Sequence, residues 1–212
     1  IFIDEILTAK DRLPFYTRVL VLESLKQQVD SSDRVARIVS KHLSDRAYQR
    51  FFFEELNNPC WISVLYNAGF FYRPPDPIEV ASGSYQMPGW PAGEYLVRFA
   101  DQYEEIVVEV IKGIQTENWR VQEILVDALM KIAPASAAEL SYVIDPWLNG
   151  RFSHWLSDKL VPLIKHLTQK GYTDAAINIL ESLIKPILKS TTGEYSKYSS
   201  PARFRAEHYW IN

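Results

Sequence analysis

The sequence contains a single cysteine, Cys60, among its 212 residues. No internal disulfide can form, and the cysteine framework of small secreted domains is missing. We therefore expect a reducing compartment and predict a cytoplasmic location. Histidine is also scarce, with four residues and no HExxH or comparable spacing. The sequence predicts no metal site, because metal ligands normally recur at short, regular intervals.

Long hydrophobic runs and phosphate-binding loops are missing as well. The longest apolar stretches, such as residues 51–53 and 106–108, fall far short of the roughly 18 residues that a membrane span needs. Asp4 and Glu5 occupy the place where a signal peptide would carry basic residues. The eight glycines form neither GxxxxGK nor GxGxxG, the loops that cradle phosphates. We therefore expect no membrane span and no cofactor.

The net charge of −3 is unevenly distributed along the chain. Residues 58–118 contain three basic and eight acidic side chains, whereas residues 119–212 contain eleven basic and nine acidic ones. The absence of a strongly basic segment makes nucleic-acid binding unlikely, because that binding depends on neutralising phosphates. A partner that docks on the middle third is expected to present a basic or mixed surface.

What the sequence does contain is helical periodicity. With 47% hydrophobic and 23% charged residues, the composition is that of a folded protein. Residues 104–114 are rich in Val and Ile, yet their apolar positions follow a period of about 3.6 residues and predict a helix. The strongest stripe lies in residues 118–133 and comprises Val121, Ile124, Leu125, Ala128, Leu129 and Ile132.

Further helices are predicted on both sides of that stripe. They cover residues 15–29, 31–43, 44–56, 59–69, 136–149, 157–170 and 173–188. Gly69 and Gly171 are expected to end the helices that precede them. Pro186 is expected to kink or end the last helix.

Residues 71–91 interrupt this pattern. The segment contains five prolines and two glycines, and such long loops are usually functional or mobile. The aromatic residues Tyr72, Tyr85 and Trp90 favour packing on the body of the protein. We therefore expect a non-helical but mostly ordered loop, anchored by a partly buried Trp90.

These elements predict an all-α fold. Antiparallel helix pairs are expected to stack as an α-solenoid-like or right-angled helical array, with one long Pro-rich loop. One domain is expected over residues 1–189, followed by a coil tail or linker over residues 190–212. Because the chain opens on Ile1, we expect it to be part of a longer protein.

Residues 116–121 (TENWRV), followed by Leu125, Asp127, Ala128 and Leu129, resemble the second helix of a HEAT or armadillo repeat. This resemblance implies stacked helix pairs that bury their apolar faces against their neighbours. The segment from Phe51 to Leu96 is also similar to helical regions of large bacterial multidomain proteins, often found beside NTPase or effector domains. That second likeness implies no chemistry for this chain.

Few residues are candidates for catalysis. His154 and Asp158 are one helical turn apart, a spacing that favours a surface pair or a helix cap over a catalytic dyad. Cys60 lies at a predicted helix start, where the helix dipole would lower its thiol pKa. Since no histidine lies near it in the sequence, a buried structural cysteine is the favoured interpretation. The sequence therefore predicts no enzyme in this chain.

Candidate interaction residues are mainly aromatic. Trp61, Trp147 and Trp155 fall within helical patterns and are expected in the core. Tryptophans outside those patterns have a better claim to exposure. Together with their arginine neighbours they are candidates for contact with a partner, because Trp, Tyr and Arg are enriched at binding hot spots. The candidate residues are Tyr72, Arg73, Tyr85, Trp90, Trp119 and Arg120.

The expected function is that of a non-catalytic protein-interaction or sensing module within a larger intracellular protein. Its partner would be another domain of the same chain or a separate protein. The alternative is a helical regulatory or nucleic-acid-contacting region of a multidomain enzyme. In the tail, Lys197, Arg203 and Arg205 alternate with aromatic residues, a pattern that can stack on single-stranded nucleic acid, although a linker or a packed extension is favoured there.

Overall fold

The structure is a computed structural model that describes residues 46–54 and 56–191. The helices predicted over residues 15–29 and 31–43 lie outside the described residues. So does nearly all of the predicted tail.

The described part of the chain is mostly helical. Its α-helices are α1 (Arg46–Glu54), α2 (Trp61–Asn67), α3 (Pro91–Arg98), α4 (Glu104–Gly113), α5 (Trp119–Leu129), α6 (Pro134–Glu139), α7 (Ile144–Leu148), α8 (Ser157–Gln169) and α9 (Thr173–Thr191). Short 3-10 turns cover Phe70–Tyr72, Leu140–Val143 and Ser153–Trp155. Two strands, β1 (Ile78–Ala81) and β2 (Ser84–Gln86), form an antiparallel ribbon. No helix in these residues is long and apolar enough to cross a membrane.

Two glycines end helices as predicted. Gly69 follows α2 with a φ of 70°, and its N–H donates to the carbonyl of Tyr66 at 2.8 Å. Gly171 follows α8 with a φ of 87°. The next N–H, that of Tyr172, reaches back to the carbonyl of Leu167 at 2.9 Å. This is the Schellman arrangement, and it favours glycine because the left-handed region is costly for residues with a Cβ.

Pro186 lies inside the last described helix rather than at its end. Helix α9 continues past Pro186 to Thr191, so of the two predicted outcomes, a kink or an end, the end is wrong. A proline removes only one backbone donor, and α9 packs on α7 and α8. Tertiary packing stabilises a helix beyond its local propensity. The single helix predicted over residues 136–149 is instead divided by the 3-10 turn Leu140–Val143.

The Pro-rich segment contains structure that the sequence did not predict. Residues 73–90 contain no α-helix, but β1 and β2 pair there with Ile78 opposite Gln86 and Glu79 opposite Tyr85. Gly83 turns the ribbon with a φ of 76°, and its N–H donates to the Glu79 carboxylate at 3.2 Å. Most side chains of both strands are exposed. The strands are four and three residues long, too short for an alternation that would predict a strand from the sequence.

The helix contacts follow two rows. In the first row, α1 contacts α3, α3 contacts α5, and α5 contacts α8. In the second row, the turn Phe70–Tyr72 contacts α2 and α4, and α4 contacts the turn Leu140–Val143, which contacts α9. Helix α8 packs along α9 and joins the rows.

One continuous hydrophobic cluster runs through the described residues, from Phe52 to Ile179. The predicted helix over residues 104–114 is confirmed as α4, which buries Val107, Val110 and Ile111. In the stripe predicted along residues 118–133, Ile124 is partly buried and the other members are buried. Both helices therefore use the apolar face that their periodicity defined.

Candidate interaction surface

The segments that precede α3, α5 and α8 meet at their helix N-termini. Asn118, at the start of α5, is fully buried. Its Nδ2 donates to the carbonyls of Pro75 and Pro88, both at 2.9 Å, and its Oδ1 accepts from the Arg120 N–H at 3.1 Å. One side chain therefore caps α5 and holds both ends of the Pro-rich segment.

Two tryptophans stack where α5 and α8 begin. The ring centroids of Trp119 and Trp155 are 5.5 Å apart, with 21° between the ring planes. Trp119 is half-buried, whereas 54% of the Trp155 surface is exposed. The prediction that Trp155 lies in the core is wrong. Trp155 belongs to the 3-10 turn Ser153–Trp155. A 3-10 turn has three residues per turn, so the α-helical period does not predict which of its side chains are buried.

Two arginines lie over aromatic rings beside this stack. The guanidinium carbon of Arg120 is 5.4 Å from the Trp119 ring centroid, and that of Arg151 is 5.2 Å from the Tyr85 ring centroid. Tyr85 meets Phe152 edge-on at 5.6 Å. Within the part of the chain that the structure describes, neither guanidinium group has a hydrogen bond or an ion pair. Both arginines are therefore held in place with their N–H donors free.

We call this region the aromatic–arginine surface. It combines residues of β2, the start of α5 and the segment before α8: Tyr85, Trp119, Arg120, Arg151, Phe152 and Trp155. The exposed imidazole of His154 lies beside it, with its ring centroid 4.9 Å from that of Trp155. Three of the six predicted candidates, Tyr85, Trp119 and Arg120, are thus brought together by the fold.

Trp90 does not take part in that surface. Only 2% of its side chain is exposed, because its ring packs against the Cα of Gly93 in α3. The expectation that Trp90 is exposed enough to contact a partner is therefore wrong. Its expected role as an anchor holds, and the ring is more deeply buried than predicted.

The candidates Tyr72 and Arg73 lie at the other end of the Pro-rich segment. Tyr72 packs against Tyr66 at 5.9 Å and covers Gly113 of α4. The hydrogen bond to Tyr66 and partial burial raise the pKa of Tyr72 to about 12. Arg73 is exposed and lines a groove of about 370 Å³ with Asp76. These two residues therefore belong to a separate part of the surface.

Carboxylates border the aromatic–arginine surface along α5. Asp127 forms an ion pair with Lys159 of α8, and both of its oxygens lie 2.9 Å from the Lys159 Nζ. Burial raises the pKa of Glu123, as does the charge of Asp127, while Lys159 and Arg120 act in the opposite direction. The surface therefore has mixed charge rather than a continuous cationic stripe.

A groove continues from Arg120 towards α1. It has a volume of about 650 Å³, and its charged lining residues are Arg50, Glu54, Glu94, Arg98 and Arg120. Arg98 donates through Nη1 to the Glu54 carbonyl at 3.2 Å and through Nη2 to the Phe53 carbonyl. It therefore satisfies carbonyls at the end of α1, where intrahelical partners are missing.

The predicted catalytic candidates are not brought together. Cys60 is exposed rather than buried, because it lies in the turn before α2, where its N–H donates to the Asn58 side chain at 3.1 Å. The favoured interpretation of Cys60 as a buried cysteine is therefore wrong. His154 lies against Trp155, and no ion pair joins it to Asp158 in the described residues. No group of three or more potential metal ligands occurs over 46–54 and 56–191.

Comparison with protein-family models, curated proteins and solved structures finds no match for this chain. The likeness to HEAT and armadillo repeats therefore rests on the sequence itself. The geometry of the aromatic–arginine surface is therefore the basis for a functional proposal.

Proposed function

We propose that this chain is a non-catalytic protein-interaction module that docks its partner on the aromatic–arginine surface. The observation that carries the proposal is the exposed ring of Trp155, held by Trp119 with an unpaired Arg120 beside it. Trp, Tyr and Arg dominate interface hot spots. Because the rings are already stacked, little side-chain freedom is lost on binding.

The helix contacts support a solenoid-like stack as the scaffold of this module. In a HEAT or armadillo array, the helices of successive pairs form two rows, and each pair contacts its neighbours. The contacts of α1 with α3, of α3 with α5 and of α5 with α8 are consistent with one such row. Connections that enter one row then lie along one edge, which is often the binding face. The segments before α3, α5 and α8 are such connections in this scheme.

The chemistry of the surface favours binding over turnover. Aromatic rings and guanidinium groups supply contact area and hydrogen-bond donors. General base catalysis by His154 would need a partner that orients the imidazole, and its ring instead lies on Trp155. Docking of a partner needs only the aromatic rings and guanidinium groups that this surface presents.

Contact with single-stranded nucleic acid is the second candidate function. Bases can stack on exposed aromatic rings while arginines take phosphates, and Trp155 with Arg120 and Arg151 offers both features. The carboxylate of Glu123 lies close enough to Arg120 for the arginine charge to affect its pKa, and it repels a phosphate backbone. The net charge of −3 also disfavours binding to a nucleic acid.

Site-specific photo-crosslinking in cells that express the chain tests the proposal. A photoreactive phenylalanine analogue replaces Trp155, and a matched variant carries it in place of Tyr142, which is 62% exposed on another part of the surface. We expect protein adducts at position 155 that are absent at position 142 and persist after nuclease treatment. Adducts that nuclease removes would support the second candidate instead, and equal adducts at both positions would refute the proposed surface.

A further inference from the structure

We propose that the occupant of the aromatic–arginine surface is an acidic segment of a partner protein, with an apolar or aromatic side chain next to its carboxylates. The inference rests on the proposed function and specifies the partner's chemistry. In this arrangement Arg120 and Arg151 each take a carboxylate, and the neighbouring apolar side chain packs on the exposed ring of Trp155.

The first argument is the state of the two arginines. Each guanidinium lies against one aromatic ring, at 5.4 Å for Arg120 and 5.2 Å for Arg151. An arginine that stacks through its face keeps its in-plane N–H donors for an acceptor, and a carboxylate matches that fork with two parallel hydrogen bonds. Since neither group is paired within the described chain, no existing ion pair has to break before the partner binds.

The second argument is the exposed ring of Trp155, which stacks on Trp119. More than half of the Trp155 surface, 54%, is exposed, and Trp119 supports the ring from behind. A rigid exposed indole favours an apolar or aromatic neighbour, which removes its surface from water. The ligand that satisfies both groups therefore alternates carboxylates with apolar side chains.

The third argument separates protein carboxylates from nucleic-acid phosphates. A nucleic acid presents phosphates in a continuous row and needs several cations in line. Here Lys159 is already paired with Asp127 at 2.9 Å, and Glu123 lies close enough to Arg120 for the arginine charge to affect its pKa. The two arginines of this surface are separate and have carboxylates of the chain near them. They therefore match a peptide whose own carboxylates are spaced apart, rather than a continuous row of phosphates.

The test measures fluorescence anisotropy of labelled synthetic peptides with the full 212-residue chain. One panel alternates Glu with Phe, Leu or Pro, and a matched panel has Lys in place of Glu. A single-stranded oligodeoxythymidine serves as the nucleic-acid probe. Because the chain carries a net charge of −3, its overall field repels the acidic panel, so binding reports the local arginines.

We expect at least one acidic peptide to bind more tightly than its Lys counterpart and the oligonucleotide, with affinity that decreases as salt rises. Trp155→Ala should weaken that binding about tenfold or more, and the double variant Arg120→Gln/Arg151→Gln should do the same. The matched controls are Tyr142→Ala and Lys165→Gln, which change an exposed ring and an exposed charge elsewhere. Both controls should retain the unmodified affinity.

Three results would overturn the inference: no acidic peptide binds, a Lys peptide or the oligonucleotide binds more tightly, or the arginine substitutions leave the affinity unchanged. The crosslinking experiment distinguishes this failure from failure of the proposed function. Protein adducts at position 155 that persist in the Arg120→Gln/Arg151→Gln background would show that the surface binds protein by other chemistry. Absence of those adducts in the unmodified background would refute the proposed function itself.

Discussion

Gly93 is the position at which a single methyl group tests the packing beneath the Pro-rich segment. A Cβ added there would lie 2.0 Å from Cε3 of the Trp90 ring and 2.5 Å from two further ring atoms. Favourable carbon contacts lie near 3.5–4.0 Å. Since Trp90 is 2% exposed, its ring must move against its neighbours when Gly93 is replaced by alanine.

Two opposing effects decide the sign of Gly93→Ala. Alanine is the better helix former by up to about 1 kcal/mol, and α3 contains the position. Overpacking a well-packed core costs about 1–3 kcal/mol, and displacing a buried tryptophan costs about 3–5 kcal/mol. The 2.0 Å contact with a rigid ring is severe, so we expect displacement to dominate. The net loss should be about 2–4 kcal/mol in the free energy of unfolding.

Urea denaturation followed by circular dichroism measures this change. The matched control is Gly89→Ala, because nothing lies within 4 Å of a Cβ at that position, and its effect should stay within about 0.5 kcal/mol. A double-mutant cycle with Trp90→Ala isolates the clash. Once the ring is gone, Gly93→Ala should become neutral or slightly stabilising. A stabilising effect of Gly93→Ala with Trp90 present would refute the packing described for this segment.

Three further predictions follow from the structure. Asn118→Ala removes a helix cap and two buried hydrogen bonds, so it should lower the free energy of unfolding by about 2–4 kcal/mol and speed limited proteolysis in the ribbon. Asn118→Asp should destabilise at least as much, because its second carboxylate oxygen would face the Pro75 and Pro88 carbonyls in a buried site with no proton to donate. Gly113→Ala would place a Cβ 2.6 Å from the ring of Tyr72, but that ring is 41% exposed and can swing outward, so urea denaturation should show a smaller loss than for Gly93→Ala. The pKa of Glu123 is raised above 4.5 in the folded state, so its ionised form destabilises the fold at pH values above the folded pKa, and this effect is absent below the unfolded pKa. Glu123→Gln should therefore increase stability at neutral pH, an increase that disappears as urea denaturation is repeated at lower pH; a constant difference across that range would contradict the sign.

Several helices and two helix ends could be predicted from the sequence because each has a local physical cause. Helices α4 and α5 follow an apolar period that defines one buried face. Gly69 and Gly171 end their helices because a left-handed φ favours a residue without Cβ. The stripe predicted from residue 118 onwards corresponds to α5, and the Asn118 side-chain oxygen accepts from the Arg120 N–H at its start.

The surface, in contrast, depends on contacts between residues far apart in the chain. Arg120 follows Trp119 in sequence, but the partners of Trp119 and Tyr85 are Trp155 and Phe152, more than thirty positions later. No periodicity links such residues, and the 3-10 turn that contains Trp155 lies between two predicted helices, where no periodicity indicates burial or exposure. The tertiary structure also decided that Trp90 is buried, because the space for its ring is provided by Gly93. Periodicity and turn chemistry thus determined the helices, whereas the packing of helix ends determined which aromatic and arginine side chains stay exposed.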